Sequence, residues 1–135
     1  MDQAAAGAES GTYETVIGLE THVQLATRSK AFCRDEVSFG QDPNTQISPV
    51  SLGYPGTLPV LNERQVEFAV RLGLALGSKI NLLNSFDRKN YFYADLPKGY
   101  QITQDRKPIC IGGQLKIATE AGEKAIRIHH IHMEE

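Results

Sequence analysis

An α+β fold, mostly antiparallel sheet with one main helix, is what the sequence predicts, and three observations carry it. Residues 62–76 place apolar side chains at helical spacing between a capping residue and a glycine. Residues 110–133 read as short alternating strands separated by glycine-containing turns. The stretch "VIGLETHVQL", residues 16–25, alternates strictly, so a β-strand would put Ile17, Leu19, Val23 and Leu25 on one face and Gly18, Glu20, His22 and Gln24 on the other. Runs of different period in one short chain favour a helix packed on an antiparallel sheet.

In chain order, residues 1–12, "MDQAAAGAESGT", are small and polar, with too little apolar surface to hold them down, and are expected to form a disordered tail. The ordered domain is expected to span residues 13–135. Residues 32–61 hold four of the six prolines and three glycines, with turn signals at "QDPN" and "GYPG". This segment cannot be one helix, and it is expected to wrap the sheet, docked through Phe39, Val50, Leu52, Leu58, Val60 and Leu61. A helix follows from Asn62 to about Leu76. Asn62 serves as cap, Gln65 stands three residues on in a capping-box position, and Gly77 lies where a helix-ending glycine belongs. Val66, Ala69, Val70, Gly73 and Leu76 form its apolar stripe, widened by Leu72 and Leu74. "CIGGQLKIATEAGEKAIRIHHIHM" then reads as a meander: strand, tight turn at Gly112–Gly113, strand, turn near Ala121–Glu123, strand.

A chain of 135 residues is at most one domain, able to bury about two thirds of its unfolded surface. Its net charge of −2 excludes a generally basic nucleic-acid binder, so any RNA partner needs local recognition. Cys33 and Cys110 stand far apart in no metal-ligand spacing, which predicts free thiols in a reducing compartment. With no long apolar run and no leader pattern, a cytoplasmic protein with no membrane partner is expected.

Three clusters carry chemistry. On the polar face of residues 16–25, Glu20 and His22 sit side by side, where a plain solvent-facing sheet surface is the competing reading. Residues 86–108 interleave Arg88, Lys89, Lys98, Arg106 and Lys107 with Tyr91, Phe92, Tyr93 and Tyr100. Cations meet phosphate oxygens and aromatic faces take up bases, so the pattern suits a phosphate-bearing ligand, against a reading as a solvated basic loop. "IHHIHMEE", residues 128–135, ends in Glu134 and Glu135. Strict alternation places His130, His132 and Glu134 on one face and His129, Ile131, Met133 and Glu135 on the other. Two strands bringing carboxylate and imidazole together could hold Mg²⁺, and the mixed donor set would also accept Mn²⁺ or Zn²⁺. No P-loop, GxGxxG, GxSxG or HExxH motif occurs.

"VIGLETHVQL", "NTQISPVSLGYPGTLPVLNERQVEFAVRLGLAL", "FDRKNYFYADLPKGYQITQ" and "IHMEE", in that order, closely resemble the N-terminal catalytic region of the B subunits of aspartyl/glutamyl-tRNA(Asn/Gln) amidotransferases. The resemblance runs from about Tyr13 to Glu135. It implies a cradle-like catalytic domain, of which this is the N-terminal portion. It also implies an ATP-dependent site where the side-chain carboxylate of Glu-tRNA(Gln) or Asp-tRNA(Asn) is phosphorylated and then amidated by ammonia. That ammonia would come from the glutaminase, or A, subunit, with a small C subunit completing the assembly. The setting is the bacterial cytoplasm or an organelle. By resemblance Glu20, His22 and Glu135 bind Mg²⁺ or Mn²⁺, while alternation favours Glu134 in place of Glu135. Lys89 and Lys98 are the candidate catalytic contacts to ATP or the acyl phosphate, with Arg88 beside them. Tyr91 and Tyr93 are candidates for the adenine or the tRNA end, or else core aromatics.

Departures from the family pattern bear on these expectations. Many members carry a zinc knuckle at positions that here read Cys33, Asp35, Ser48 and Ser51, and one thiolate cannot hold a structural zinc. No structural zinc is therefore expected, and the 32–61 segment should stand by apolar packing. Ala94 replaces a usual proline, and His130 stands where arginine is common. The family continues past the equivalent of Glu135, so the chain resembles about the first quarter of such a subunit. Two readings follow: the ATP-using subunit or its N-terminal piece, and a non-catalytic fragment that docks a partner. A metal-dependent hydrolase built on the His and Glu cluster is a distant third, without a water-activating motif.

Overall fold

The computed structural model describes residues 13–135, and the expected tail at 1–12 lies outside them. Its elements are α1 (Glu63–Ala75), β1 (Lys79–Ile80), β2 (Asp87–Asn90), β3 (Tyr100–Thr103), β4 (Cys110–Ile111), β5 (Gln114–Thr119), β6 (Gly122–Arg127) and β7 (His130–Ile131). All strand pairs are antiparallel: β1–β4–β7 form a three-stranded sheet, and β2–β3 and β5–β6 form two-stranded ones. One helix on antiparallel sheet is the expected α+β class.

The helix begins and ends where its sequence signals stand. Asn62 Oδ1 accepts from the Arg64 amide at 3.0 Å, while its Nδ2 donates to Ser29 O at 2.9 Å, so one cap both starts α1 and ties down the preceding loop. At the other end, Gly77 takes φ +67°, its N–H donates to Leu74 O, and Ser78 N–H donates to Gly73 O. These two bonds are a Schellman closure. Gln65, expected to complete a capping box, instead turns inward. It is buried, and its Nε2 donates across to Glu134 O at 3.4 Å.

The core is small: Ala69, Ile109, Cys110 and Met133, with Val66, Val70, Ile80, Phe86 and Ile131 packed around them. The side chains at 66, 69 and 70 come from the predicted stripe, but Leu74 is exposed. At Gly73 the helix comes so close to β4 that a methyl group there would collide with Cys110 Sγ and stand 3.1 Å from Ile80 Cδ1. Cys110 is fully buried, which pushes its thiol pKa up, and its S–H points at Ala69 O, 3.7 Å away. Both cysteines are free.

Three expectations are corrected. Residues 16–25 belong to no strand, and Ile17, Leu19 and Val23 are exposed at 78, 88 and 60 %. Alternation creates a strand only when a neighbour supplies the ladder, and none of the described strands pairs with it. The meander is in fact one long hairpin. Pairs Cys110↔Ile131 and Ile111↔His130 keep the same register as Gln114↔Arg127 through Thr119↔Gly122. Across the gap, Gly112 N–H donates to His129 O and Ile128 N–H to Gly113 O. Gly112 and Gly113, at φ +69° and +111°, bend this hairpin without reversing it, and the reversal occurs at Glu120–Ala121. The 32–61 segment is anchored by other groups than those expected. Phe39, Leu58, Val60 and Leu61 are exposed and Val50 and Leu52 only half-buried, while Phe32 is buried edge-on against Phe86 at 5.1 Å. Backbone bonds Val60 N–H to Phe32 O and Asn62 N–H to Ala31 O hold its two ends together.

Gly73→Ala separates helix propensity from packing. Propensity alone would make the change favourable by about 1 kcal/mol, whereas overpacking against Cys110 costs about 1–3 kcal/mol. Net destabilisation is expected in urea unfolding, and Gly73→Ala/Cys110→Ala should recover part of it.

Candidate functional site

The C-terminal strand leads straight into the site. Beyond β7, residues 132–135 leave the ladder but are held by bonds to four of their backbone groups, one of them from Gln101 Nε2 to Glu135 O at 3.2 Å. Met133 N–H donates to Gln104 Oε1 at 3.1 Å, Glu134 O accepts from Gln65, and Glu135 N–H donates to Ile102 O at 3.0 Å. Met133 is buried, so the adjacent carboxylates of Glu134 and Glu135 are carried on a fixed stem.

Each carboxylate meets a lysine. Glu134 Oε1 lies 3.2 Å from Lys89 Nζ on β2, and its Oε2 lies 4.0 Å from His22 Nδ1. Glu135 Oε1 pairs with Lys98 Nζ, and its Oε2 accepts from Ile102 N–H at 3.2 Å. The Lys98 side chain is only 5 % exposed. Its stem lies against the backbone of Gly53, where a Cβ would stand 2.7 Å from Lys98 Cγ and φ is +69°. Two cations share one ring: Arg88 Cζ stands 4.6 Å and Lys98 Nζ 5.0 Å from the Tyr100 centroid. Tyr91 and Tyr93, in the loop joining β2 to β3, stack edge to face at 5.3 Å, with Tyr93 exposed and Tyr91 half-buried. Ala94 sits in a turn closed by Leu96 N–H on Tyr93 O, so that turn forms without the proline.

The expected site residues are thus brought together unequally. Lys89, Lys98, Arg88, Glu134 and Glu135 gather at the β2–β3 hairpin. His22 reaches the edge of this group at Glu134, and Glu20 lies on the side of His130. Burial, the neighbouring His132 and His129 charges, and against them Asp105 and Glu20, leave the His130 pKa below its ordinary value. Among the described residues no group of three or more His, Cys, Asp or Glu side chains is gathered closely enough to hold a metal ion. Sequence reasoning missed three supports of this site. Tyr100 was visible only as one aromatic among several, Gly53 only as part of a turn, and Gln104 carried no signal, because a polar residue after a strand reads as surface.

A cavity of about 80 Å³ separates Lys98, Tyr100 and Glu135 from Phe32, Cys33 and Tyr54 of the long loop. On the loop side, the four knuckle positions come together, three of them through hydrogen bonds. Asp35 Oδ2 accepts from Ser51 Oγ at 2.6 Å and Ser48 Oγ at 3.0 Å, with the Cys33 thiol beside this carboxylate. Ser51 Oγ in turn accepts from Ser48 N–H at 2.9 Å. Partial burial pushes the Asp35 carboxyl up, but the contacts from Ser51, Cys33 and Ser48 and the nearby Lys30 charge together hold it below its ordinary value. The segment therefore stands by a hydrogen-bonded clasp in addition to the packing of Phe32, where packing alone was expected.

Comparison with known proteins settles the family. Residues 15–135 match the GatB/GatE catalytic domain. The chain belongs to this family. It is 60 % identical over 123 residues to the B subunit of the aspartyl/glutamyl-tRNA(Asn/Gln) amidotransferase of Myxococcus xanthus, covering 91 % of this chain and 26 % of the relative. It is 58 % identical over 123 residues to that of Geotalea uraniireducens, with the same coverage. Identity to the B 2 subunit of the Clostridium acetobutylicum enzyme is 56 % over 124 residues, 92 % of this chain and 26 % of the relative. The chain spans about a quarter of the length of these relatives. Among the described residues no helix is long and apolar enough to cross a membrane.

Two changes probe this geometry. Asp35→Ala should lower stability by on the order of 1–2 kcal/mol at pH 7, the worth of charge-assisted hydrogen bonds at a half-buried site. Because the folded carboxyl titrates below its unfolded value, that difference should be full above about pH 5 and shrink as pH falls through the folded pKa. Urea unfolding across pH 3–7 reads it. Lys98→Met should cost about 2–3 kcal/mol by stranding Glu135, with Lys98→Met/Glu135→Gln costing less than the single change in the same assay.

Proposed function

We propose that this chain is the N-terminal part of the catalytic region of a tRNA-dependent amidotransferase. It would help convert the side-chain carboxylate of Glu-tRNA(Gln) or Asp-tRNA(Asn) to an amide at the expense of ATP. The observation that carries the reading is the paired array Lys89–Glu134 and Lys98–Glu135 beside His22, in a chain whose relatives are named as amidotransferase subunits.

A carboxylate is a poor acceptor for ammonia, and conversion to an acyl phosphate supplies a leaving group. The protein's share of phosphoryl transfer is mainly positioning and charge neutralisation. In this reading Lys89 and Lys98 turn from their glutamates to the transferring phosphoryl oxygens, with Arg88 held close by on Tyr100. Tyr91 and Tyr93 present ring faces to the adenine or the terminal nucleotide. Glu134 and Glu135 face lysine ammonium groups, with His22 at the edge, and among the described residues no three carboxylate or imidazole side chains converge as the shell of a hard divalent ion requires. Glu20 and His22, with Glu135 or Glu134, are the residues proposed to hold Mg²⁺ or Mn²⁺, and they would have to draw together to do so. That ion would neutralise phosphate charge. Partner subunits would supply ammonia and complete the tRNA site, in the bacterial cytoplasm or an organelle.

The test is a chimera in which residues 13–135 replace the matching quarter of the Myxococcus xanthus protein, assembled with that organism's partner subunits. Mischarged tRNA should be amidated only with ATP and an amide donor. Glu20→Gln in the chimera should reduce turnover by about two to three orders of magnitude, the scale for losing one electrostatic contributor, while glutamine hydrolysis persists. An assembled chimera without turnover, or turnover without ATP, would refute the reading.

A further inference from the structure

We infer that Gln104 is a positioning residue for the Glu134–Glu135 carboxylates, acting through the backbone of Met133. It is 1 % exposed, and every polar atom of its amide is used. Oε1 accepts from Ile109 N–H at 3.2 Å and Met133 N–H at 3.1 Å, and Nε2 donates to Asn84 Oδ1 at 3.0 Å. Asn84 is itself fixed, its Nδ2 donating to Asn81 O at 3.0 Å, and Asn81 Nδ2 donates to Pro108 O at 3.1 Å. The amide thus joins three segments far apart in sequence: the turn before β2, the turn after β3, and the stem that bears the two glutamates.

The stem needs such a hold because the β7 ladder stops at Ile131. Past that point the backbone keeps its place only where it is bonded elsewhere. Three glutamine side chains grip it: Gln101 Nε2 donates to Glu135 O at 3.2 Å beyond both carboxylates, and Gln65 holds Glu134 O weakly, with a 3.4 Å bond and a buried Oε1 that lacks any partner among the described residues. Gln104 makes the shortest bond and makes it where Met133 enters the core. Losing it leaves the Met133 N–H unsatisfied and removes the hold on the stem nearest the core, so that the carboxylates depend on the bonds to Gln65, Gln101 and Ile102 alone. A buried polar group left unsatisfied is costly, and groups that orient ligating carboxylates are commonly worth about ten- to a hundredfold in metal affinity. The inference rests on the proposed metal and phosphate site for its consequence, but not for its geometry.

The experiment uses the whole 135-residue chain with Mn²⁺ alone as probe, alongside amide hydrogen exchange and Lys98–Glu135 side-chain NOEs by NMR. Gln104→Met, close in shape and without hydrogen-bonding atoms of comparable strength, should weaken Mn²⁺ binding about tenfold. It should also raise exchange at Met133 and Glu135 and abolish the Lys98–Glu135 NOEs. Gln104→Glu should restore all three to within about threefold of the parent, since so buried a carboxyl stays neutral and keeps both a carbonyl acceptor and an O–H donor. Gly73→Ala is the control: it destabilises the core yet should leave the Mn²⁺ affinity and NOEs of the folded protein unchanged. Parent-like NOEs and slow exchange in Gln104→Met, or failure of Gln104→Glu to recover them, would overturn the inference. Absence of Mn²⁺ binding by the parent chain would instead count against the metal reading, and the exchange and NOE comparison would still decide the role of Gln104.

Discussion

The close approach of α1 to β4 is the constraint on which the rest of the arrangement depends. With so few buried apolar side chains, the helix can cover the sheet only by coming down on it directly, and Gly73 over Cys110 is where it does so. That contact makes β4 the central strand, with β1 on one edge and β7 on the other. The direction of β7 then decides where Met133 enters the core, and Met133 decides where the next two residues emerge. Two glutamates at the end of a strand would ordinarily be mobile surface groups. Here they are positioned by a helix–sheet contact on the far side of the core, relayed through buried amides.

Around those glutamates the molecule balances charge without burying it deeply. Glu134 and Glu135 each face one lysine, and the lysines are controlled differently. Lys89 is open to solvent on a strand, whereas Lys98 is enclosed between the Gly53 backbone, the Tyr100 ring and Glu135. An enclosed ammonium exchanges partners only when the loop against it shifts, and the loop is held by the Asp35 clasp. The two halves of the site therefore differ in how readily they can rearrange around a ligand, although their chemistry is the same.

Features written into short stretches of sequence were the legible ones. The helix and its two ends, the class of the fold, the free thiols and the lysine–glutamate residues could all be read, because caps, glycines and charge act over a few residues. What failed required knowledge of a neighbour. Residues 16–25 alternate like a strand, yet pairing depends on a partner, and none of the described strands pairs with them. The Gly112–Gly113 step looked like a reversal because two glycines permit one, but only the partner strand reveals that register continues through it. Gln65 looked like a capping residue and serves instead as a clamp on Glu134, a contact 69 positions away in sequence. Gln104 was illegible for the same reason, since its three partners come from three separate segments.

The long hairpin from Cys110 to Ile131 carries a consequence for how such a domain can change over generations. Its register is unbroken from core to tip, and β5 and β6 are exposed along almost their whole length. Residues can therefore be gained or lost in matched pairs near Glu120–Ala121, lengthening or shortening the projection by about 3.4 Å for each residue added per strand, without turning a single core side chain outward. An unpaired insertion within one strand would instead shift the pairing from that point to the tip, inverting the faces of the distal residues or forcing a bulge. The arm is thus free to vary in reach, while its base is held to strict parity.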